Sequence, residues 1–164
     1  MKELASLLLY AAPLVLVALR RALPDLLGLT EHAPDPVIVA VAIAALRFPK
    51  EGACLFAAAA GLLGDLPSGT PFGLGGARLA LVAVFASSLR RHVDLGVPFV
   101  PSLAVLVLAL LDRALAAIVL DACQDVRLLP LLARGALDAF ATVALVPLLW
   151  PAGELLHSLT RAPR

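Results

Sequence analysis

The chain has 164 residues, of which 62% are hydrophobic, and its mean hydropathy is +0.99. A soluble domain is nearer half apolar, and a core of this size cannot hide so much apolar surface. Charged residues make up 15% and the net charge is +1, so the basic stripe of a nucleic-acid-binding protein is missing. The composition therefore predicts one polytopic membrane domain covering residues 1–164.

Six apolar runs predict an all-α integral membrane protein, a compact bundle of about six transmembrane helices. The first run begins after Lys2, extends to about Leu29 and contains Pro13 as a kink. The second is short for a full span, and the fifth is the longest. The runs after the first are Val37–Phe48, Ala53–Leu66, Ala77–Leu89, Val97–Leu120 and Gly135–Trp150.

Basic residues in the connections predict the orientation of the bundle. Seven Lys and Arg fall on the side that carries both termini, against four on the other side. Cytoplasmic connections are enriched in Lys and Arg, so both termini are expected in the cytoplasm. We therefore expect a multi-pass membrane protein in contact with membrane lipid.

A glycine-rich segment, Gly61–Gly76, separates the third run from the fourth. It holds six glycines and two prolines in sixteen residues, which no continuous helix tolerates. It predicts a tight turn that also acts in packing or recognition. Asp65 is expected at the end of the third helix, where Arg78, nearby turn amides or a partner must compensate its charge. The residues assigned to a partner-binding or packing motif are Gly61, Gly64, Asp65, Gly69, Pro71 and Gly73.

Charged residues also fall inside the predicted helices, all in the outer half of the bundle. Buried charges are costly unless they are paired, so these side chains should face inward and form pairs. Arg134 and Asp138 lie one turn apart on one face of the sixth helix. Either the cluster fixes helix packing or it lines a polar pocket open to the periplasm. Its predicted members are Asp65, Arg78, Asp112, Arg113, Arg134 and Asp138.

No arrangement of residues predicts catalysis. The three histidines lie in loops or the tail, and each intramembrane acid has an arginine nearby instead of a second carboxylate. Two cysteines and three scattered histidines give no metal-ligand spacing. The sequence therefore predicts no enzyme, no metal and no cofactor.

The run Gly61-Leu62-Leu63 with Asp65, followed by residues 68–74, resembles the central motif of the MreD family of rod shape-determining membrane proteins. That motif reads roughly G-L-L-x-D-x-x-S-G-x-P-L-G-L, and Phe72 stands where Leu is usual. Pro34-Asp35-Pro36 and the turn from Arg47 to Gly52 are also similar to family motifs. The resemblance covers about residues 34–90.

The resemblance implies a non-enzymatic scaffold of the cell-elongation machinery, needed for rod shape and lateral peptidoglycan synthesis. The implied partners are an MreC-like bitopic protein, RodA with a class B penicillin-binding transpeptidase, and MreB filaments. The alternative is the substrate-binding membrane subunit of a vitamin transporter of the energy-coupling-factor type, which is similar in size and helix number. A carrier of lipid or peptidoglycan precursors is a third possibility, which no sequence feature selects.

Overall fold

The chain folds into α-helices. The computed structural model describes residues 12–20, 22, 34–66, 71–90, 99–124, 128–151 and 154, and it contains no β-strand among them. The first helix, α1, is described over residues 12–20, so the rest of its predicted length lies outside the described residues. The other helices are α2 (Pro36–Arg47), α3 (Lys50–Asp65), α4 (Leu74–Leu89), α5 (Val100–Gln124), α6 (Leu128–Val143) and α7 (residues 146–151).

Helix α2 lies at the centre of the bundle. Ten of its twelve residues are buried, and it contacts α3, α4, α5 and α6. The helix is apolar on all sides, which is the pattern of a helix enclosed by others. Asp35 caps its start and Pro36 occupies the first helical position, where the fixed φ of proline suits a helix. The helix ends at Arg47, two residues before Pro49.

Helices α3 and α4 form the most closely packed pair. Only two residues separate α2 from α3, so α3 returns antiparallel to α2 and ends beside the start of that helix. Helix α3 is rich in alanine and glycine, and its buried side is made of Ala53, Ala57, Ala60 and Gly61 together with Asp65. Small side chains of this kind allow two helix backbones to approach closely.

The predicted sixth run, Gly135–Trp150, is wrong in its bounds. Helix α6 already begins at Leu128 and ends at Val143, and α7 follows after a turn. Pro147 explains the break, because proline has no N–H for the carbonyl of Val143 and its ring would clash with that carbonyl. Around the break, Ala144 and Leu145 donate to the carbonyls three residues earlier, at 3.2 and 3.1 Å.

Large apolar side chains cover the outside of the bundle. Exposed examples occur on every one of the helices α1 and α3 to α7, among them Leu14, Leu55, Leu81, Leu103, Leu137 and Leu148. Among the described residues, one helical segment, Val100–Asp121, has the length and hydropathy of a membrane span. Helices α2 and α4 are apolar but shorter.

Candidate functional site

Asp65 joins the end of α3 to the start of α4. It is the last residue of α3, as predicted, and it is 8% exposed. Its carboxylate accepts hydrogen bonds from the backbone amides of Gly73, at 3.0 Å, and Gly75, at 2.9 and 3.1 Å. The first amides of a helix lack partners within the helix and carry partial positive charge. We call this arrangement the Asp65 cap; it satisfies free amides of α4 and holds the two helix ends together.

Glycine is required where α3 and α4 cross. A Cβ atom on Gly61 would overlap the backbone of Gly75, and one on Gly75 would lie 2.9 Å from Cγ of Asp65. A Cβ atom on Gly76 would lie 3.2 Å from the carbonyl oxygen of Ala58. Gly64, by contrast, faces only Arg20, at 3.9 Å. Of the four positions, Gly61, Gly75 and Gly76 therefore set the distance between the helices.

The rest of the predicted packing motif lies at the turn before α4. Gly73 is the residue before the first turn of α4 and has φ of +98°, which favours glycine. Pro71 and Phe72 are exposed, as is Leu66 at the end of α3. We call these three apolar residues, which flank a segment outside the described residues, the turn tip. Gly69, also assigned to the motif, lies outside the described residues.

A second buried carboxylate, Asp35, lies at the same end of the bundle and is 4% exposed. Its Oδ1 accepts from the amide of Val37 at 3.1 Å, which caps α2. Its Oδ2 lies 3.2 Å from a guanidinium nitrogen of Arg113 and 3.2 Å from one of Arg20. One carboxylate thereby connects α1, α2 and α5.

Helix α6 joins the same assembly through Thr142 and Asp138. The backbone amide of Asp35 donates to the buried Oγ1 of Thr142 at 3.0 Å, and that hydroxyl donates to the carbonyl of Asp138 at 2.7 Å. The carboxylate of Asp138 lies 3.9 Å from Arg113. We call Asp35, Arg20, Arg113, Thr142 and Asp138 the Asp35 network; it connects α1, α5 and α6 to the start of α2.

Arg78 and Asp112 pair α4 with α5. Nε of Arg78 lies 2.7 Å from Oδ1 of Asp112, and Asp112 is 1% exposed. The contact is an ion pair between the two helices. The pair compensates a carboxylate that burial would otherwise leave costly.

The predicted charge cluster therefore divides into separate contacts. Arg78 meets Asp112, Arg113 meets Asp138 and Asp35, and the described hydrogen bonds of Asp65 come from backbone amides. Arg134 is exposed, and the described ion pair of Asp138 is with Arg113. Gly135 lies against Arg113, where a Cβ atom would come within 2.8 Å of the arginine Cβ.

Asp35 and Arg20 were missing from the predicted cluster. In the sequence analysis, Asp35 enters only within a family motif. The order Asp-Pro before an apolar run is a helix-start signal, so the sequence could have identified the cap at α2. No spacing rule joins Asp35 to Arg113, 78 residues later in the chain.

At the opposite end, Arg47 in the last turn of α2 holds α7. Its guanidinium lies 4.7 Å from the ring centre of Trp150 and 2.6 Å from Oε1 of Glu154. The indole N–H of Trp150 donates to the same Glu154 oxygen at 3.0 Å. Both ends of α2 are thus bound to the C-terminal part of the described chain.

The described surface also has an open apolar groove of about 340 Å³ where the start of α5 faces the end of α6. It is lined by Phe99, Val100, Ser102, Leu103, Leu106 and Val143. Among the described residues, no group of three His, Cys, Asp or Glu side chains could hold a metal ion. The arrangement of buried charges stabilises helix ends and helix contacts.

Comparisons of the chain with models of protein families, with curated proteins and with solved structures gave no match.

Proposed function

We propose that this chain is a multi-pass protein of the bacterial inner membrane and a non-enzymatic scaffold of the cell-elongation machinery. The proposal for the membrane is supported by buried, paired polar groups and by exposed large apolar side chains. Four described polar residues, Asp35, Asp65, Asp112 and Thr142, are buried, whereas large apolar side chains cover the outer helices. In lipid, charges are retained only where they face the bundle interior and find partners.

The scaffold role is supported by how the motif residues are used. Asp65, Gly61 and Gly75 hold α3 to α4, so these motif residues act in packing within the chain. The turn tip, formed by Leu66, Pro71 and Phe72, is apolar and exposed. We propose that the Asp65 cap fixes this tip in one position, where it contacts the membrane helix of an MreC-like bitopic protein.

Further proposed partners are RodA with a class B penicillin-binding transpeptidase, and MreB filaments. These follow from the motif resemblance over about residues 34–90. A scaffold of this kind acts by holding partner helices at fixed positions, which requires a rigid contact between α3 and α4 and an accessible apolar surface. The test variants therefore change exposed residues of the turn tip and leave the Asp65 cap intact.

Membrane location is tested in bacterial cells that express the full chain. We expect the protein to stay in the membrane fraction through an alkaline wash that strips peripheral proteins. Single cysteines introduced at loop positions, with the native cysteines replaced, then report orientation to an impermeant thiol reagent. We expect labelling near Gln124 and none near Arg90; the reverse pattern would invert the predicted orientation.

The partner is tested with variants of the turn tip. Phe72→Ala and Leu66→Ala should leave the protein level unchanged, because both side chains are at least two-thirds exposed. Both should weaken co-purification of the MreC-like protein, and cells relying on the double variant should lose rod shape. Leu81→Ala, an exposed change on the middle of α4, is the matched control. Normal rods and normal co-purification from the double variant would remove the tip from the interface; a defect in vitamin uptake would favour the transporter alternative.

A further inference from the structure

Exposed apolar side chains form a zone around the bundle, which we call the apolar belt. The length of this belt along the helix axis differs between α5 on one side and α3 and α4 on another. We infer that α3 and α4 favour a locally thin bilayer, whereas α5 matches a bilayer of ordinary thickness. This inference rests on the proposed membrane location. It adds a physical property, a preference for lipids with short acyl chains, that the proposed scaffold role does not contain.

Helix α5 carries the tall side of the belt. Its exposed apolar residues extend from Phe99, just before the helix begins, to Ile118, with Leu103, Val107 and Leu110 between them. Those ends lie 19 positions apart, which is about 29 Å along a helix. The hydrocarbon core of a typical bilayer is about 30 Å thick, so α5 matches it. The next exposed charge on this helix is Asp121.

Helix α3 carries the short side. Lys50 and Glu51 are exposed at its start, and its large exposed apolar side chains, Leu55 and Leu66, are about 17 Å apart. Glu51 and Leu66 lie 15 positions apart, or about 23 Å. This helix falls well short of the ordinary core.

Helix α4 is limited in the same way. It has 16 residues, a length of about 24 Å, and its exposed apolar side chains extend from Phe72 in the preceding turn to Phe85. Arg90 follows the helix, is exposed and donates to the carbonyl of Phe48 at 3.1 Å. Because α3 and α4 pack side by side, the short side is two helices wide.

The exposed charges at the start of α3 favour a locally thin bilayer over one of ordinary thickness. If the bilayer kept its ordinary thickness, the ends of α3 would enter hydrocarbon, with Lys50 and Glu51 exposed to it. Deforming the bilayer costs a modest amount for each ångström, whereas charged side chains in hydrocarbon are expensive. The bilayer is therefore expected to thin beside α3 and α4, which places Phe72 at the interface, where aromatic side chains are favoured.

The test uses the purified full chain in phosphatidylcholine vesicles with monounsaturated acyl chains of about 14 to about 22 carbons. We expect the thermal midpoint of unfolding to be highest in the shortest two lipids and lower by about 4 °C or more in the longest. A flat dependence, or a maximum at about 18 carbons or above, would overturn the inference. Loss of the protein from all vesicles in an alkaline wash would instead overturn the proposed membrane location.

A matched pair of variants identifies which side sets the preference. Lys50→Leu with Glu51→Leu extends the short side, so the stability maximum should move to longer chains. Asp121→Leu extends the tall side and should leave the maximum where it is. If Asp121→Leu moves the maximum and the α3 variant does not, the inference is wrong. Phe72→Trp, in a chain whose Trp150 is replaced by Phe, adds a second measurement. Brominated lipids should quench the fluorescence of the introduced tryptophan most strongly near the head groups, and strongest quenching at the bilayer centre would contradict thinning.

Discussion

The Asp65 cap and the Asp35 network use the same chemical group in two different ways. Both carboxylates are buried, and both accept hydrogen bonds from amides at the start of a helix. Asp65 binds amides 8 and 10 residues further along the chain. The Asp35 network reaches Arg113 and Thr142, which lie 78 and 107 residues away.

The difference is between a local joint and a long-range one. The Asp65 cap fixes two helices that are neighbours in the chain, and glycines let them approach. The Asp35 network fixes α2 against α1, α5 and α6, whose packing has to form before the charges can meet. A defect in the first should therefore loosen one helix pair, whereas a defect in the second should weaken the whole bundle.

The largest effect is expected for Asp35→Asn. The change keeps a side-chain oxygen for the amide of Val37 but removes the charge that Arg20 and Arg113 share. Breaking a buried ion pair from one side costs about 3–5 kcal/mol, and we expect about 3 kcal/mol because both arginines are partly exposed. The measurement is the unfolding free energy of the detergent-solubilised protein.

Two controls make the Asp35 result specific. Asp121→Asn removes an exposed acid from α5 and should leave the unfolding free energy unchanged. The double variant Asp35→Asn with Arg113→Gln should lose less unfolding free energy than the two single variants lose in sum, because fewer buried charges remain unpaired. If the losses of unfolding free energy in the two single variants simply add up in the double variant, the two side chains do not interact.

A smaller effect is expected for Gly61→Ala at the crossing of α3 and α4. The new methyl group would meet the backbone of Gly75, which cannot rotate away as a side chain can. Overpacking of this kind costs about 1–3 kcal/mol. Gly64→Ala, in the same helix, meets only the end of Arg20 and should be neutral or stabilising by up to about 1 kcal/mol. Equal effects from the two variants would contradict the close approach.

The next effect concerns Asp65 itself. Asp65→Ala leaves the amides of Gly73 and Gly75 without their acceptor, and loss of a helix cap costs about 0.5–2 kcal/mol. Asp65→Asn keeps one acceptor oxygen and should be milder. Hydrogen exchange at the start of α4 should increase in both variants, more strongly in the alanine variant. Unchanged exchange there would mean that the cap does not hold α4.

Much of the fold follows from local signals in the sequence. The apolar runs predict α2 to α5 within a few residues, and the all-α fold class is confirmed for the described residues. Asp65 at the end of α3 is also confirmed, because the prolines and glycines that follow stop the helix. The end of α6 was missed because Pro147 divides an apolar run that is continuous by hydropathy alone.

The site was less predictable because its contacts depend on tertiary packing. The three possible partners for Asp65 were Arg78, turn amides or another protein, and the described hydrogen bonds come from amides at the start of α4. Arg78 instead meets Asp112, since α4 and α5 place them 2.7 Å apart. The four-residue spacing predicted that Arg134 and Asp138 share a helix face, whereas the orientation of α6 in the bundle exposes the arginine.

The smallest effect is therefore expected for Arg134→Gln, although the four-residue spacing between Arg134 and Asp138 predicted from the sequence that the two form a pair. Asp138 lies near Arg113, which also contacts Asp35, and Gly135 packs directly against the Arg113 side chain. Arg113→Gln should lower the melting temperature clearly, because it leaves the buried Asp35 with one fewer cation. Arg134→Gln removes a charge from the exposed face of α6, and its melting temperature should equal that of the unmodified protein within error. Equal losses in the two variants would place Arg134 inside the bundle and would reverse the assignment of Asp138 to the Asp35 network.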